Sequence, residues 1–151
     1  MIPCVTIFCM PALPLFNAIA QVESDRGATS DNIYQIRKIY VKDVNRFSVN
    51  YYYDDDVKDK FRSEQMMRDY WYRYASLYRV RENKPVTYEV LARIHNGGPD
   101  GYKKASTMAY WKKVRPVLLI ELESIGKTID ARGRVVDLDE NGNKVMKGTH
   151  K

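Results

Sequence analysis

Cysteine is nearly missing from this chain of 151 residues: only Cys4 and Cys9 occur, both in the apolar N-terminal stretch. The remainder has no disulfide framework and no thiolate metal site, so it must be held together by its core. Histidine is as scarce. His95 and His150 are far apart with no cysteine near either, which argues against metal chemistry, and no cofactor is expected. Long apolar runs are lacking too. Residues 1–16 are apolar and almost uncharged but are broken by Pro3, Pro11 and Pro14, too short a run to cross a bilayer as a helix. The stretch reads either as a signal-like leader without the usual basic start, ending near Ala12, or as an N-terminal arm. No stable membrane insertion is expected, and no repeat or low-complexity segment is evident.

What is present is enough for one core and hardly for two: 44% of residues are hydrophobic and 29% charged. The expected organisation is an arm or leader over residues 1–14, a helical domain over 15–117 and a helix-and-hairpin extension over 118–151. Lys and Arg number 25 against 19 Asp and Glu, a net charge of +6 that favours polyanionic partners such as nucleic acid, an anionic lipid surface or an acidic cell wall.

The organising stretch is residues 15–24, where Leu15, Ile19 and Val22 recur at helical spacing and Glu23 sits at the end. A carboxyl beside that apolar face is partly desolvated, which raises its pKa and suits a general acid. The plainer alternative is a solvated residue in the last turn of an amphipathic helix.

A polar loop containing Gly27 comes next, then a helix carrying Ile39, Val41 and Val44. Tyr51, Tyr52 and Tyr53 ahead of three aspartates predict a surface loop leading into a helix. Residues 57–80 are the longest helical candidate, with Phe61, Met66, Met67, Tyr70, Trp71, Tyr74, Leu77 and Tyr78 as its apolar stripe. That stripe reads as core; the interleaved arginines would alternatively let it stack on bases, but nucleic acid is not the expected partner. Thr87 caps the next helix, which ends at Asn96-Gly97-Gly98-Pro99, and Ser106 or Thr107 starts the last one, through Tyr110 and Trp111. At the end, residues 135–138 and 144–146 flank Asn141-Gly142 and predict a hairpin.

Four separated pieces, in order, resemble the lysozyme-like superfamily, and more narrowly its invertebrate-type lysozymes and its lytic-transglycosylase-like bacterial and phage relatives. Ala20-Gln21-Val22-Glu23-Ser24 is similar to the helix end bearing that family's catalytic glutamate. Tyr34-Gln35-Ile36 resembles the cleft glutamine segment. The run from Ala92 through His95-Asn96-Gly97-Gly98-Pro99-Asp100-Gly101 is the most specific piece, and Thr107-Met108-Ala109-Tyr110-Trp111 is similar to the closing helix whose tyrosine lies near the glutamate. The resemblance implies a mainly α, lysozyme-like domain with a glycan-binding cleft, a small C-terminal hairpin appendage, and cleavage of the bond between N-acetylmuramic acid and N-acetylglucosamine in peptidoglycan.

On that reading Glu23 is the acid/base, Gln35, Asn96, Gly97 and Tyr110 bind substrate, and the partner is peptidoglycan met by a monomer in a periplasmic, extracellular or phage-associated setting. Gly97 and Gly98 are equally explained as a helix cap and turn, and His95 as a packed core-edge ring. Two departures from the family pattern stand out. Glu23 and Gln35 are only twelve residues apart, shorter than usual, and Asn32 stands where lytic transglycosylases carry glycine, a position Asn tolerates if the turn is left-handed. The second carboxylate is also in doubt, with Asp31 the better candidate and Asp25 the other. A non-catalytic glycan-binding or structural protein of a virion or secretion machine is the alternative.

Overall fold

The helix that carries Glu23, α1 (Leu13–Ser24), is the axis of the molecule, with Leu15, Phe16, Ala18 and Ile19 all fully buried. It starts two residues before the expected point because Pro14 fits the first turn, where its missing N–H has no intrahelical partner to lose. The structure, a computed structural model, describes residues 6–145. Ahead of α1, β1 (Thr6–Ile7) and β2 (Met10–Pro11) pair antiparallel, and Met10, Pro11 and Ala12 are buried. The Tyr88 hydroxyl donates to the Pro11 carbonyl at 2.6 Å, so the described part of the arm is packed onto the domain. Cys4 and the first residues of the apolar stretch lie outside the described residues, as do His150 and Met146.

Next come α2 (Lys38–Val44), the single turn α3 (Tyr53–Asp56) and the long α4 (Lys60–Glu82). Asp59 caps α4 by accepting from the Arg62 N–H at 2.8 Å. Its inward face is Ser63, Met66, Met67, Tyr70, Trp71, Ala75 and Tyr78. Phe61, expected in that stripe, is instead exposed, because the buried positions are those three, four, seven and eight residues after Ser63 and Phe61 falls off that face. Tyr51, expected on a surface loop, is buried with its hydroxyl donating to Asp69. Trp71 centres the core: its ring lies 5.4 Å from Phe16 and its indole N–H donates to the Leu91 carbonyl at 2.8 Å.

Thr87 caps α5 (Tyr88–Gly97) as the sequence predicts, and a 3-10 turn at Gly101–Lys103 leads into α6 (Ala105–Glu123). Helix α6 runs unbroken through Pro116 and across residue 117, just as α1 runs across residue 14, so neither expected domain boundary is a break in secondary structure. An interior proline costs a helix about 3 kcal/mol, whereas burying a leucine contributes about 1.5–3 kcal/mol, and both Leu118 and Leu122 lie beyond the proline in the core. Continuation therefore wins.

The C-terminal hairpin also differs from expectation. Strand β4 (Val135–Asp137) pairs along its length with β3 (Lys127–Ile129), and the residues after Gly142 meet it only at its end, where the Val145 N–H donates to the Asp137 carbonyl at 2.8 Å. Val135 lies opposite Ile129, which is buried against the domain, and that anchoring selects the partner. The turn at Asn141-Gly142 does form, but supports only a bridge between Leu138 and Lys144.

Candidate active site

Glu23 is the penultimate residue of α1, and the chain behind it is fixed from several directions. Asp25 ends the helix in the left-handed conformation, and its side chain accepts from Gln21 at 2.8 Å. Ser24 is buried; its hydroxyl donates to the Ile33 carbonyl at 2.7 Å and accepts from the Gly27 N–H at 2.9 Å. The helix end is thereby tied to both ends of the adjoining loop. Glu121 on α6 accepts from Arg26 at 2.7 Å and from Asn17 at 3.1 Å, which holds α1 against its neighbour.

The returning loop is built on Asn32. Its side chain closes a ring with Ile36, accepting from the backbone N–H at 2.9 Å and donating to the carbonyl at 2.8 Å. Asn32 does not take the left-handed geometry expected of it; that falls to Gln35, at φ 50°. The Gln35 backbone and side-chain N–H groups both reach the Asn32 carbonyl, at 3.0 and 2.8 Å. The shortened segment thus forms a tight turn that still delivers Gln35 to the cleft wall.

The opposite wall is the end of α5. Asn96 is exposed there, and Gly97, Gly98 and Pro99 continue along the cleft. Gly97 is required by packing, since a Cβ would stand 2.5 Å from the Thr107 methyl. Below it Arg93, almost wholly buried, donates to Thr107 Oγ1 at 2.9 Å, to Glu89 at 3.1 Å and to the Lys104 carbonyl at 3.0 Å. Gly101 meets the same network: a Cβ there would lie 2.0 Å from the Arg93 carbonyl oxygen.

Between these walls lies a cleft of about 1000 Å³ that brings Glu23, Gln35, Asn96 and Gly97 together. That volume is at the upper end of the range for ligand clefts, about 300–1000 Å³, and is large enough to take several sugar units. Its third wall is α2 with its flanks: Ile39, Lys42 and Asp43 from the helix, Arg37 from its N-cap and Arg46 from just past its end. Tyr40 and Tyr70 stack beneath at 3.8 Å between ring centroids, with His95 edge-on to Tyr40 at 5.6 Å.

Glu23 is half-buried, and its pKa is raised above the ordinary carboxylate value of 4.5. Desolvation dominates; the Tyr110 phenol and the Arg37 and Lys113 cations pull the other way. The Tyr110 hydroxyl has no partner at normal hydrogen-bond geometry, yet the group it faces is Glu23. Tyr110 is buried and does not line the cleft, so it supports the carboxyl from beneath where the sequence reading made it a substrate contact. Asp31 is exposed on the loop and is also not among the cleft-lining residues.

Asp43, which does line the cleft, is engaged by the Tyr74 hydroxyl and lies 3.5 Å from Arg46. Among the described residues no group of three or more His, Cys, Asp or Glu is placed to hold a metal ion. Sequence reasoning missed Ser24, Arg93 and the cations of α2. Ser24 was legible only as the residue after the glutamate and Arg93 only as part of the run that leads to Asn96, while the cations carry no motif of their own.

No family model matches the chain. It is 30% identical over 93 residues to a lysozyme of Meretrix lusoria, covering 62% of this chain and 71% of that protein. An invertebrate-type lysozyme of Ruditapes philippinarum is also 30% identical over 93 residues, covering 62% of this chain and 64% of the relative. Invertebrate-type lysozyme 6 of Caenorhabditis elegans is 29% identical over 99 residues, covering 60% and 69%. A chain in the crystal structure of Aeromonas hydrophila PliI in complex with Meretrix lusoria lysozyme superposes with a TM-score of 0.53 and 28% identity, over 68% of this chain and 87% of that one.

Proposed function

Because this chain belongs to the lysozyme-like family that includes the invertebrate-type lysozymes, we propose that it cleaves the β-1,4 bond between N-acetylmuramic acid and N-acetylglucosamine in peptidoglycan, with Glu23 as the acid. The observation that carries this reading is a half-buried carboxyl of raised pKa on the wall of a polymer-sized cleft. A glycosidic oxygen is a poor leaving group. Protonated Glu23 gives it a proton as the C1–O bond breaks and the muramyl ring takes on oxocarbenium character. In the lytic route the C6 hydroxyl of the same sugar then attacks C1, and the Glu23 carboxylate takes the hydroxyl proton, leaving a 1,6-anhydro end. Every proton is accounted for by one carboxyl, and neither metal nor cofactor enters.

Asn96 and Gln35 supply amide donors and acceptors for sugar hydroxyl and acetamido groups on opposite walls. The site of action on this reading is the cell-wall compartment, periplasmic or extracellular, for a bacterial or phage-associated protein. Among the described residues no helix is long and apolar enough to cross a membrane.

The short span from Glu23 to Gln35 favours a second reading, a glycan-binding or structural protein without catalysis. Turbidity clearance of cell walls separates the two. Clearance that disappears in Glu23→Gln while the far-UV spectrum and melting curve persist supports the enzyme. Retention on insoluble peptidoglycan with no soluble muropeptides released supports the second reading, and equal clearance by the mutant removes Glu23 from the mechanism.

A further inference from the structure

The wall of the cleft formed by α2 has a character that glycan cleavage alone does not require. Arg37, Lys42 and Arg46 all line it, with Ile39 between them, 74% exposed and bordering the same space. Lys42 lies on α2, Arg37 caps its start and Arg46 stands just past its end. Arg46 leans toward Asp43, whereas neither Arg37 nor Lys42 forms an ion pair among the described residues. The acidic side of the same cleft is Glu23 and Asp43, and Asp43 is already engaged by Tyr74 and Arg46. Lys42, with no ion pair among the described residues, and Arg37, opposed only by the Glu23 carboxyl, therefore face the cleft beside an exposed apolar side chain.

A neutral N-acetylglucosamine polymer offers such cations hydrogen-bond acceptors but no opposite charge. A glycan whose alternate sugars bear peptide stems offers a carboxylate at regular intervals along one edge. We propose that Arg37 and Lys42 make this cleft selective for glycan carrying free stem-peptide carboxylates, over glycan whose carboxylates are absent or neutralised. The inference rests on the peptidoglycan reading of the cleft and names what that reading leaves open, the charge state of the strand it accepts. Both side chains are exposed, so the preference weakens as the salt concentration rises. Arg37 also pulls the Glu23 carboxyl toward its charged form. A stem carboxylate seated on Arg37 offsets that pull, so binding of the charged strand and protonation of the acid reinforce each other.

The test measures binding and so does not depend on turnover. The Glu23→Gln protein is titrated with teichoic-acid-free sacculi, which removes polymer phosphate as a source of charge, and with the same sacculi after carbodiimide amidation of their carboxylates. The expected result is a Kd at least tenfold lower for the untreated sacculi, falling to less than threefold when Arg37→Gln and Lys42→Gln are added. Arg37→Lys should restore part of the preference. Lys60→Gln with Arg79→Gln removes the same charge from α4, away from the cleft, and should keep the tenfold ratio. Equal affinity for the two preparations overturns the proposal, as does a preference that the α4 pair abolishes as fully as the α2 pair. Selective binding of charged sacculi by Glu23→Gln, together with a wild-type protein that releases no muropeptides, upholds this inference while overturning catalysis.

Discussion

The Nε2–H of His95 donates to the backbone carbonyl of Tyr34 at 3.0 Å, so a buried ring on α5 holds the residue that precedes Gln35. The bond fixes the neutral tautomer with its proton on Nε2 and leaves Nδ1 buried without a partner. Burial lowers the His95 pKa to about 4, from an unfolded value near 6.5. The unfolded chain binds the extra proton first, so the contribution of His95 to stability is fully present above pH ~6.5 and is lost as pH falls toward ~4. A shift of that size is worth about 3 kcal/mol. His95→Gln should therefore show a smaller loss of Tm than the wild type between those pH values, measured at several points. Glu23, whose raised pKa acts in the opposite direction, cancels in the difference. A difference between the two melting curves that is flat with pH would show that the ring is not buried neutral.

The Tyr110 phenol favours the charged form of Glu23 from beneath the carboxyl. Removing it with Tyr110→Phe takes away a stabilising interaction with the carboxylate and moves the Glu23 pKa further up. The acid must be protonated to act, so the alkaline limb of the pH–rate profile should move to higher pH in the mutant, and Lys113→Met should move it the same way. A limb that moves to lower pH would mean that a group other than Glu23 is the acid.

Arg93 is the keystone of the Asn96–Gly98 wall, because its three nitrogens bind Thr107, Glu89 and the Lys104 carbonyl while it remains nearly inaccessible to water. Arg93→Met fills much of the volume but leaves buried acceptors without their donors. We expect a loss of about 2–3 kcal/mol in chemical denaturation. Weaker glycan binding should accompany it, since the wall loosens, and a mutant as stable as the wild type would remove Arg93 from this role.

The parts legible in the sequence were those set by local chemistry. Thr87 at a cap, Gly98 after α5 and the spacing of Leu15, Ile19 and Val22 each fix an element without reference to the rest of the chain. Gln35, Asn96 and Gly97 were singled out mainly through resemblance, and the fold places all three along the cleft with Glu23. The features that escaped depend on distant partners. Phe61 falls off the buried face of α4, and Tyr51 is drawn inward from the preceding loop with its hydroxyl on Asp69. Strand β4 chose β3 because Ile129 is anchored on the domain, a fact no turn signal at Asn141-Gly142 contains. Arg37 and Lys42 look like any other surface cations until α2 is seen to form a wall of the cleft.

The missing second carboxylate decides which group attacks the muramyl C1 once the glycosidic bond breaks. A retaining hydrolase sets its two carboxyls about 5 Å apart, and an inverting one roughly 6.5–9.5 Å apart to admit water. Asp25 is turned back onto Gln21 at the helix cap, Asp43 is engaged by Tyr74 and Arg46, and Asp31 is exposed outside the cleft lining. None is poised as a free base or nucleophile opposite Glu23, and the proposed lytic route, with the muramyl C6 hydroxyl as the attacking group, needs none. We therefore expect Asp31→Asn to keep at least about a tenth of the wild-type rate, a barrier change below ~1.4 kcal/mol. Anhydromuramyl ends should appear among the products, and mass spectrometry distinguishes them because each is lighter than a hydrolysed end by one water. Products with reducing ends alone, together with an inactive Asp31→Asn protein, would mean that the loop carrying Asp31 folds over the cleft when glycan binds and completes a hydrolytic pair.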